Sequence, residues 1–433
     1  MFLKTNTHNT FSKKQKTLNY NTMKDSIIKV VRFIGLGFLE PLIRLISGEE
    51  PKKNTKEVFN RIGAPILSII IFLILWTVGA NSLYNSLAES KIEAAREAGG
   101  DAEAARVEGL INSAKKKLDG KFYISDDVAD FEKISEENTH AVAVKKDDGN
   151  YEIKYGLTPE ENKEVPVTLP SPRQTKNALY TLLVDYRMVK HDKQAFKERT
   201  ATMNEKRVAE GKKAITYTGR PSFVDQIITS LKTVFAGFLL ALFIAVPIGI
   251  ITGLSPTLRA SVNWVIQIFK PVSPVVWLLL VTMIVTTILR NSDGDSSFII
   301  SFISVGLCAM WATLVNTAMG VSSVDTDYIN VAKVLKLGNF QKIFKVILPA
   351  SLPLIFTGLR ITLSVAWMVL IAIELLAQSP GLGSFVWEEF QNGANDSNSK
   401  IIVAMFVIGL IGFALDRIML FIQNLISFEK EGV

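Results

Sequence analysis

Long apolar stretches alternate with polar segments along this chain, and six of these stretches are long enough to cross a bilayer, which needs about 20 mostly apolar residues. The predicted spans lie at residues 64–84, 234–253, 262–287, 361–377 and 401–422, with one more between Asp295 and Asp325. The longest polar segment, residues 85–225, separates the first span from the second. The pattern predicts an all-α membrane protein with six spans and one large insert.

The distribution of charge predicts which side of the membrane each segment faces. Residues 1–63 hold 12 Lys/Arg against 5 Asp/Glu, a surplus that equals the net charge of +7 of the whole chain. If both termini lie on one side, the short segments of that side carry 19 Lys/Arg and the short loops opposite carry 2. Because short cytoplasmic loops are rich in Lys and Arg, both termini are predicted to be cytoplasmic and the insert extracytoplasmic.

The chain therefore divides into four predicted regions. These are a cytoplasmic N-terminal segment (1–63), a first transmembrane helix (64–84), the extracytoplasmic insert (85–225) and a five-helix core (226–433). Within the first region, residues 27–46 are apolar but interrupted by charges, which favours an amphipathic helix lying in the membrane interface. A seventh span is the alternative, and Met23 is an alternative start to Met1.

The insert has no sequence pattern that indicates catalysis. Residues 85–120 and 176–213 have helical patterns, and short β-like runs occur at 140–144 and 151–155. A solvated elaboration is one interpretation; a docking surface for a substrate-delivering partner or a second subunit is the other.

Composition excludes several classes of function. The single cysteine, Cys308, excludes an internal disulfide and a multi-cysteine metal site, and three scattered histidines offer no ligand cluster. No G-x-x-x-x-G-K-[ST] phosphate-binding loop occurs. We therefore predict no catalytic residue, no metal site, no nucleic-acid partner and no ATP hydrolysis on this chain.

The segment 328–353 has the pattern of two short amphipathic helices around a turn at Gly338-Asn339, two residue types that tolerate left-handed backbone angles. Apolar residues are predicted to line one face of each helix: Val331, Val334 and Leu335, then Phe344, Ile347 and Leu348. Pro349 is predicted to end the second helix. Such a pair can insert into a groove of a partner protein; a solvated loop is the alternative.

Several motifs resemble those of ATP-binding-cassette (ABC) importer permeases. Ala332, Gly338 and Ile347-Leu348-Pro349 are similar to the "EAA" loop of that family, with Asn330 in place of its usual Glu and Lys336 in place of its Gly. Four further motifs resemble the nitrate/sulfonate/taurine branch, and the last two are most similar to its nitrate-type members, which include bicarbonate and cyanate carriers. They are Leu169-Pro-Ser-Pro, Ser230-Leu-Lys-Thr-Val-Phe-Ala-Gly-Phe, Phe269-Lys-Pro-Val-Ser-Pro-Val-Val-Trp and Gly381-Leu-Gly-Ser-Phe-Val-Trp-Glu-Glu-Phe.

The resemblance implies a type I ABC importer transmembrane domain in a bacterial inner membrane. Its partners would be cytoplasmic ATPase subunits, which bind the ATP and Mg, an extracytoplasmic substrate-binding protein and a second permease copy, with no cofactor on this chain. The resemblance also implies which residues contact the ATPase. These are Asn330, Ala332, Leu335, Lys336, Gly338, Phe344, Ile347, Leu348 and Pro349.

Charged residues and prolines inside the predicted spans are candidates for the translocation pathway. The candidates are Lys270, Pro271, Pro274, Trp277 and Glu374. Lys270 lies beside a predicted break in the helix, where it can contact an anion; the alternative is that its side chain extends to the inner membrane interface. Glu374 is predicted either to have a hydrogen-bonded structural role or to act as a gate. Its predicted depth in the membrane differs from that of Lys270, which argues against a direct pair.

Taken together, these patterns predict the permease subunit of an ATP-driven importer for a small anion, with nitrate first and sulfonate, taurine, bicarbonate or cyanate as alternatives. Asp416 and Arg417 are interpreted as membrane-interface anchors, and Trp277 and Trp311 as packing or interfacial aromatics. Two other classes remain open: an ion-coupled secondary transporter and a membrane receptor.

Overall fold

The structure is a computed structural model that describes residues 24–31, 37–125, 139–146, 148–155, 157–290, 296–393 and 395–426. The helices are α1 (24–31), α2 (Glu40–Ile46), α3 (Pro51–Val58), α4 (Ala64–Leu118), α5 (Pro159–Glu164), α6 (Pro172–Ala209), α7 (Phe223–Leu254), α8 (Pro256–Phe269), α9 (Pro274–Ile288), α10 (Ser296–Ser322), α11 (Thr326–Val334), α12 (Asn339–Lys342), α13 (Leu348–Ala377), α14 (Leu382–Asn392) and α15 (Asn395–Ile426). The strands are β1 (Lys121–Ser125), β2 (Thr139–Lys145) and β3 (Tyr151–Tyr155).

Three long apolar helices, α7, α10 and α13, form the centre of the fold, with α10 packed between the other two. Glycines let α7 and α10 approach closely. A Cβ added at Gly249 would lie 2.6 Å from the Cβ of Thr317, and one at Gly253 would lie 2.6 Å from the Cβ of Val321. The G-x-x-x-G spacing therefore sets a close helix crossing.

Five described helices are long and apolar enough to cross a membrane, and α8 with α9 would make a sixth only as a pair bent by 98°. The predicted third span, residues 262–287, is therefore not one continuous helix but falls on the bent pair of α8 and α9. Pro271 and Pro274 lack the backbone N–H that a continuous helix needs. Ser273 begins α9, where its hydroxyl accepts from the N–H of Val275 at 3.4 Å.

The predicted interfacial helix over 27–46 includes residues 32–36, which lie outside the described residues. On either side of them, residues 24–31 are helical as α1, and α2 begins at Glu40 after a short 3₁₀ turn. An ion pair between Lys24 and Glu49 joins the two pieces, and Gly48, with φ 77°, follows α2. Residues 1–23, with Met1 and Met23, lie outside the described residues.

The helix of the first span is longer than predicted at both ends. It begins at Pro51, continues through a π-helical turn into α4 and passes the expected end at Tyr84. Gly100, with φ 77°, interrupts α4. The second half then returns along the first, since the Tyr84 hydroxyl donates to the carbonyl oxygen of Ile111 at 3.3 Å. Residues 85–118 are therefore a helical hairpin.

The insert also contains a small sheet, so the all-α prediction holds for the spans and not for the insert. β2 pairs with β1 in parallel and with β3 antiparallel. Both β-like runs of the sequence are confirmed as β2 and β3. The side chains of Ala141 to Val144 are buried, which explains why this run is continuously apolar.

A buried carboxylate joins the hairpin to α5. Glu161 accepts hydrogen bonds from Ser113 Oγ at 2.6 Å, Lys117 Nζ at 2.9 Å and the Thr158 N–H at 2.7 Å. Burial opposes ionisation, but these three donors outweigh it and lower the pKa of Glu161 to about 2. Because this pKa is below the ordinary value of 4.5, the contact stabilises the insert at neutral pH and is lost as the pH falls from 4.5 towards 2.

Polar contacts fix the insert to one end of the core. The Trp76 indole N–H donates to the carbonyl oxygen of Pro170 at 3.0 Å, and Asn398 Nδ2 donates to that of Thr168 at 3.2 Å. Lys193 on α6 pairs with Asp225 at the start of α7 at 2.6 Å. The insert therefore lies over the end of the core where α7 and α15 begin.

Candidate functional site

Six exposed apolar side chains crowd the segment between α10 and α13, and we call them the coupling surface. They are Tyr328, Val331, Val334, Leu335, Phe340 and Phe344. Val334 is 81% exposed and Phe340 is 79% exposed. Six large apolar side chains exposed within 17 residues of sequence are a feature of protein–protein contact sites.

Two of the predicted contact residues face the body of the protein instead. Ala332 on α11 and Ile347 in the π-helical turn Ile343–Ile347 are almost fully buried. Leu348 is half-buried, whereas Asn330 and Pro349 are exposed. Ile347 therefore anchors the segment, and the prediction that it shares the open face with Phe344 is wrong.

The turn after α11 is made by Lys336 rather than by Gly338-Asn339. Lys336 has φ 50°, in the left-handed region, whereas Gly338 has φ −64° and begins α12. The N–H of Leu337 donates to the carbonyl oxygen of Ala332 at 3.1 Å, which closes the end of α11. The backbone thus needs a left-handed residue at the position where the resemblance places glycine.

The predicted helix end at Pro349 is also wrong. The helix runs without interruption from Asn339 to Ala377, a length of 39 residues. In the π-helical turn just before the proline, the N–H of Leu348 donates to the carbonyl oxygen of Ile343, a wider turn that helices use to absorb local irregularity. Phe340 and Phe344 of the coupling surface therefore lie on the same continuous helix as the apolar stretch of α13.

The break between α8 and α9 places Lys270 at the corner of this bent helix pair. Lys270 ends α8, where its N–H donates to the carbonyl oxygen of Ile266 at 2.9 Å. Its side chain and that of Pro271 are exposed, and Pro274 is half-buried at the start of α9. A charged side chain at a helix corner can reach either a pore or the membrane interface.

An aromatic cluster lies beside this corner. The Phe269 ring lies 6.0 Å from Trp277 and stacks on Trp311 at 6.3 Å. Both indole N–H groups are buried, and neither has a hydrogen-bond acceptor within the described part of the chain. A buried N–H group without an acceptor is energetically unfavourable, so a bound ligand that accepts hydrogen bonds from these two indoles would be stabilised here.

Glu374 is held at the far end of α13. Its side chain is 1% exposed, and its carboxylate accepts from Ser230 Oγ at 2.7 Å and from the Gly383 N–H at 3.0 Å. A Cβ at Gly381 would lie 2.2 Å from this carboxylate. Glu374 thus connects α13 to α7 and α14, and among the described residues no ion pair joins it to Lys270.

Comparison with known proteins decides the family. The model described as "Binding-protein-dependent transport system inner membrane component" matches residues 245–428. The nitrate import permease protein NrtB of Synechococcus elongatus is 35% identical over 202 residues, which cover 47% of this chain and 69% of NrtB. The chain belongs to the ABC importer permeases. It is a multi-pass inner-membrane protein.

Further relatives place this permease in the nitrate/bicarbonate/taurine branch. The bicarbonate transport system permease protein CmpB of Synechocystis is 36% identical over 203 residues, which cover 47% of this chain and 68% of CmpB. The taurine transport system permease protein TauC of Escherichia coli is 32% identical over 210 residues, 47% of this chain and 72% of TauC. The secondary-transporter and receptor alternatives are thereby set aside.

Several contacts that position parts of this permease have no signal in the sequence. Arg360 on α13 binds Asp416 on α15 through two hydrogen bonds of 2.5 and 2.8 Å, so Asp416 is an internal ion-pair partner rather than only an interface anchor. Ser230 contacts Glu374 across 144 residues of sequence. Periodicity finds the helices but not such pairs.

Proposed function

We propose that this permease imports a small oxyanion, with nitrate as the first candidate. The observation that carries the proposal is the pair of buried indole N–H donors, on Trp277 and Trp311, that lack acceptors within the described residues next to the corner at Lys270. An oxyanion supplies acceptors and negative charge, whereas a cation supplies neither.

A third donor extends this pattern. The Nη2 of Arg259 donates to the carbonyl oxygen of Gly253 at 2.7 Å, and its buried Nε has no partner in the described chain. Arg259 lines a pocket of about 480 Å³ with Thr252 and Asn263. These residues would extend the anion's path from the corner at Lys270 towards the end of α7 and the start of α8.

The coupling surface is the proposed docking site for a cytoplasmic ATPase. Its exposed apolar side chains suit a groove, and Lys333, Lys336, Lys342 and Lys345 beside them suit the cytoplasmic side. This orientation puts the insert outside, towards a substrate-binding protein. If α8 and α9 together cross the membrane, both termini are cytoplasmic. The proposed translocation pathway lies between this chain and a second copy of it.

The proposed mechanism is alternating access. The helix from Asn339 to Ala377 spans about 58 Å at 1.5 Å per residue, so a movement imposed on the coupling surface at Phe340 and Phe344 would reach Glu374 through one helix. Through Ser230 and Gly383 the same carboxylate would carry the movement to α7 and α14. ATP drives the change only if the ATPase contacts the two states differently.

Uptake by proteoliposomes that contain this chain, its ATPase and its binding protein tests the proposal. We expect ATP-dependent, vanadate-sensitive nitrate uptake, with bicarbonate and taurine as competitors. Lys270→Met is expected to lower the uptake rate by about tenfold or more, because an intramembrane charge contact is lost. Arg290→Met, a cation change beyond α9, is the matched control. Unchanged uptake by Lys270→Met would contradict the pathway, and taurine or bicarbonate uptake without nitrate uptake would reassign the cargo.

A further inference from the structure

A cleft of about 340 Å³ opens at the insert end of the fold, far from the coupling surface, and we call it the outer cleft. Its walls come from β3 and α6 of the insert, the segment leading into α7 with the first turn of α7, α14, and Lys400 of α15. Its volume is that of a site for a small molecule or a single large side chain. Nothing in the transport mechanism above uses it.

Acceptors without donors line the outer cleft. Gln226 is 4% exposed and lines the cleft, yet its buried Oε1 has no hydrogen-bond partner among the described residues. The buried Oε2 of Glu389, also in the lining, likewise has no partner there. Because a carboxylate only accepts hydrogen bonds when ionised, this site requires a ligand that donates.

The charges of the lining favour a cation. The lining carries three carboxylates, on Asp185, Glu388 and Glu389, and two cationic groups, on Arg220 and Lys400. Arg220 is paired with Asp185 at the rim. Lys400 is shared, at 3.5 Å from Glu389 and 3.1 Å from Asp396. The inner part of the cleft therefore keeps an excess of negative charge.

Two aromatic rings contribute to the same cleft. Phe223 and Phe385 both line it, with ring centroids 4.8 Å apart. Planar guanidinium groups stack on aromatic faces and donate hydrogen bonds in their own plane. In the outer cleft, the aromatic rings could contact the face of such a group, and the unpaired acceptors could accept its hydrogen bonds.

We propose that the outer cleft binds a guanidinium or ammonium group, with Glu389 and Gln226 as its acceptors. The group belongs either to a free small cation or to an Arg or Lys side chain of an extracytoplasmic protein. Both sources present the same chemistry to the cleft. The site is separate from the anion path, since it offers acceptors where that path offers donors.

Calorimetric titration of the full-length chain in lipid nanodiscs with methylguanidinium tests the site. We expect saturable binding, weakened about tenfold or more by Glu389→Gln, because a hydrogen bond to a charged group is lost. Lys400→Met removes the competing cation and is expected to tighten binding, a direction that misfolding cannot produce. Glu160→Gln, an exposed carboxylate of α5 outside the lining, is the control. Tetramethylammonium, which has no N–H donor, is expected not to bind.

The absence of methylguanidinium binding to the unmodified chain would overturn the proposal, as would equal affinity in Glu389→Gln. A second titration identifies the source of the cation and rests on the proposed function. Displacement of the bound substrate-binding protein by methylguanidinium assigns the site to a side chain of that protein. Binding of methylguanidinium without displacement assigns it to a free cation. Either result supports a cation site in the outer cleft. Failure of nitrate uptake would contradict the proposed function, but it would not change the result of the first titration.

Discussion

Two proline-containing segments of this permease behave in opposite ways. Pro349 and Pro353 lie inside one continuous helix, whereas Pro271 and Pro274 lie at a corner of 98° between α8 and α9. The difference is in the packing. A Cβ at Gly358 of α13 would lie 2.7 Å from Asn316 of α10, so a neighbouring helix supports α13 along its length.

The corner has less support. Ser273 and Lys270 are exposed, as are Trp264, Ile268 and Met283 in the flanking helices. Proline removes one hydrogen bond and adds a steric clash, at a cost of about 3 kcal/mol in a helix interior. Where packing against a second helix exceeds that cost the helix continues, and where it does not the helix breaks.

The largest expected effect concerns the coupling surface, which lies at the start of the continuous helix and on α11 before it, and which we propose contacts the ATPase. Val334→Asp puts a charge on the coupling surface and is expected to abolish co-purification with the ATPase, because a desolvated, unpaired charge is very unfavourable. Val208→Asp on α6, a change at a similarly exposed valine, should leave the complex intact. An intact complex with Val334→Asp would show that the ATPase binds elsewhere.

The next effect concerns the other end of the same helix. Glu374→Ala leaves Ser230 and the Gly383 N–H without their acceptor, and we expect a loss of about 2–4 kcal/mol of unfolding free energy. Thermal unfolding in detergent measures it. Glu374→Gln keeps the volume and one acceptor oxygen, so it should lose less. Equal unfolding temperatures for the alanine variant and the unmodified chain would exclude the structural role of Glu374.

The corner itself can be tested by removing its prolines. With Pro271→Ala and Pro274→Ala, we expect the start of α8 and the end of α9 to move apart, from about 26 Å across the 98° bend to about 45 Å for 30 helical residues at 1.5 Å per residue. Spin labels at Leu258 and Ile288, both exposed, report the distance by double electron–electron resonance in a chain with Cys308→Ala. An unchanged distance would mean that packing, not proline, sets the corner.

The smallest expected effect concerns the turn of the coupling surface. Lys336 has φ 50°, a conformation that costs a residue with a side chain about 1 kcal/mol relative to glycine. Lys336→Gly should therefore raise the unfolding temperature slightly. Gly338→Ala is the matched control, since Gly338 has φ −64° and a Cβ there would contact nothing within 4 Å. A lower unfolding temperature for Lys336→Gly would refute the strain at this turn.

The sequence predicts well what depends on local pattern. The apolar stretches of α7, α10, α13 and α15, and the runs that become β2 and β3, follow from hydrophobicity alone. The turn at Lys336 could not be predicted, because lysine disfavours the angle that the surrounding helices impose. The continuity of the helix through Pro349 depends on packing against α10, which local pattern does not contain.

The candidate sites were predictable only as residue types. Lys270 and Glu374 are conspicuous as charges in apolar surroundings, but their neighbours are not. Ser230 lies 144 residues from Glu374, and the two acceptors of the outer cleft come from α7 and α14, which are far apart in the sequence. Such combinations arise from tertiary structure, so no spacing rule finds them.

The hairpin of α4 has a consequence for assembly. From Tyr84 to the reversal at Gly100, the helix rises by about 24 Å at 1.5 Å per residue, and its returning half braces it. The hairpin is thus a rigid projection that continues directly from a membrane helix. A globular protein that binds at this end of the permease cannot cover the surface without contacting the hairpin. A large protein partner must therefore bind beside the hairpin. The hairpin restricts the orientations in which such a partner can approach, before any specific contact forms.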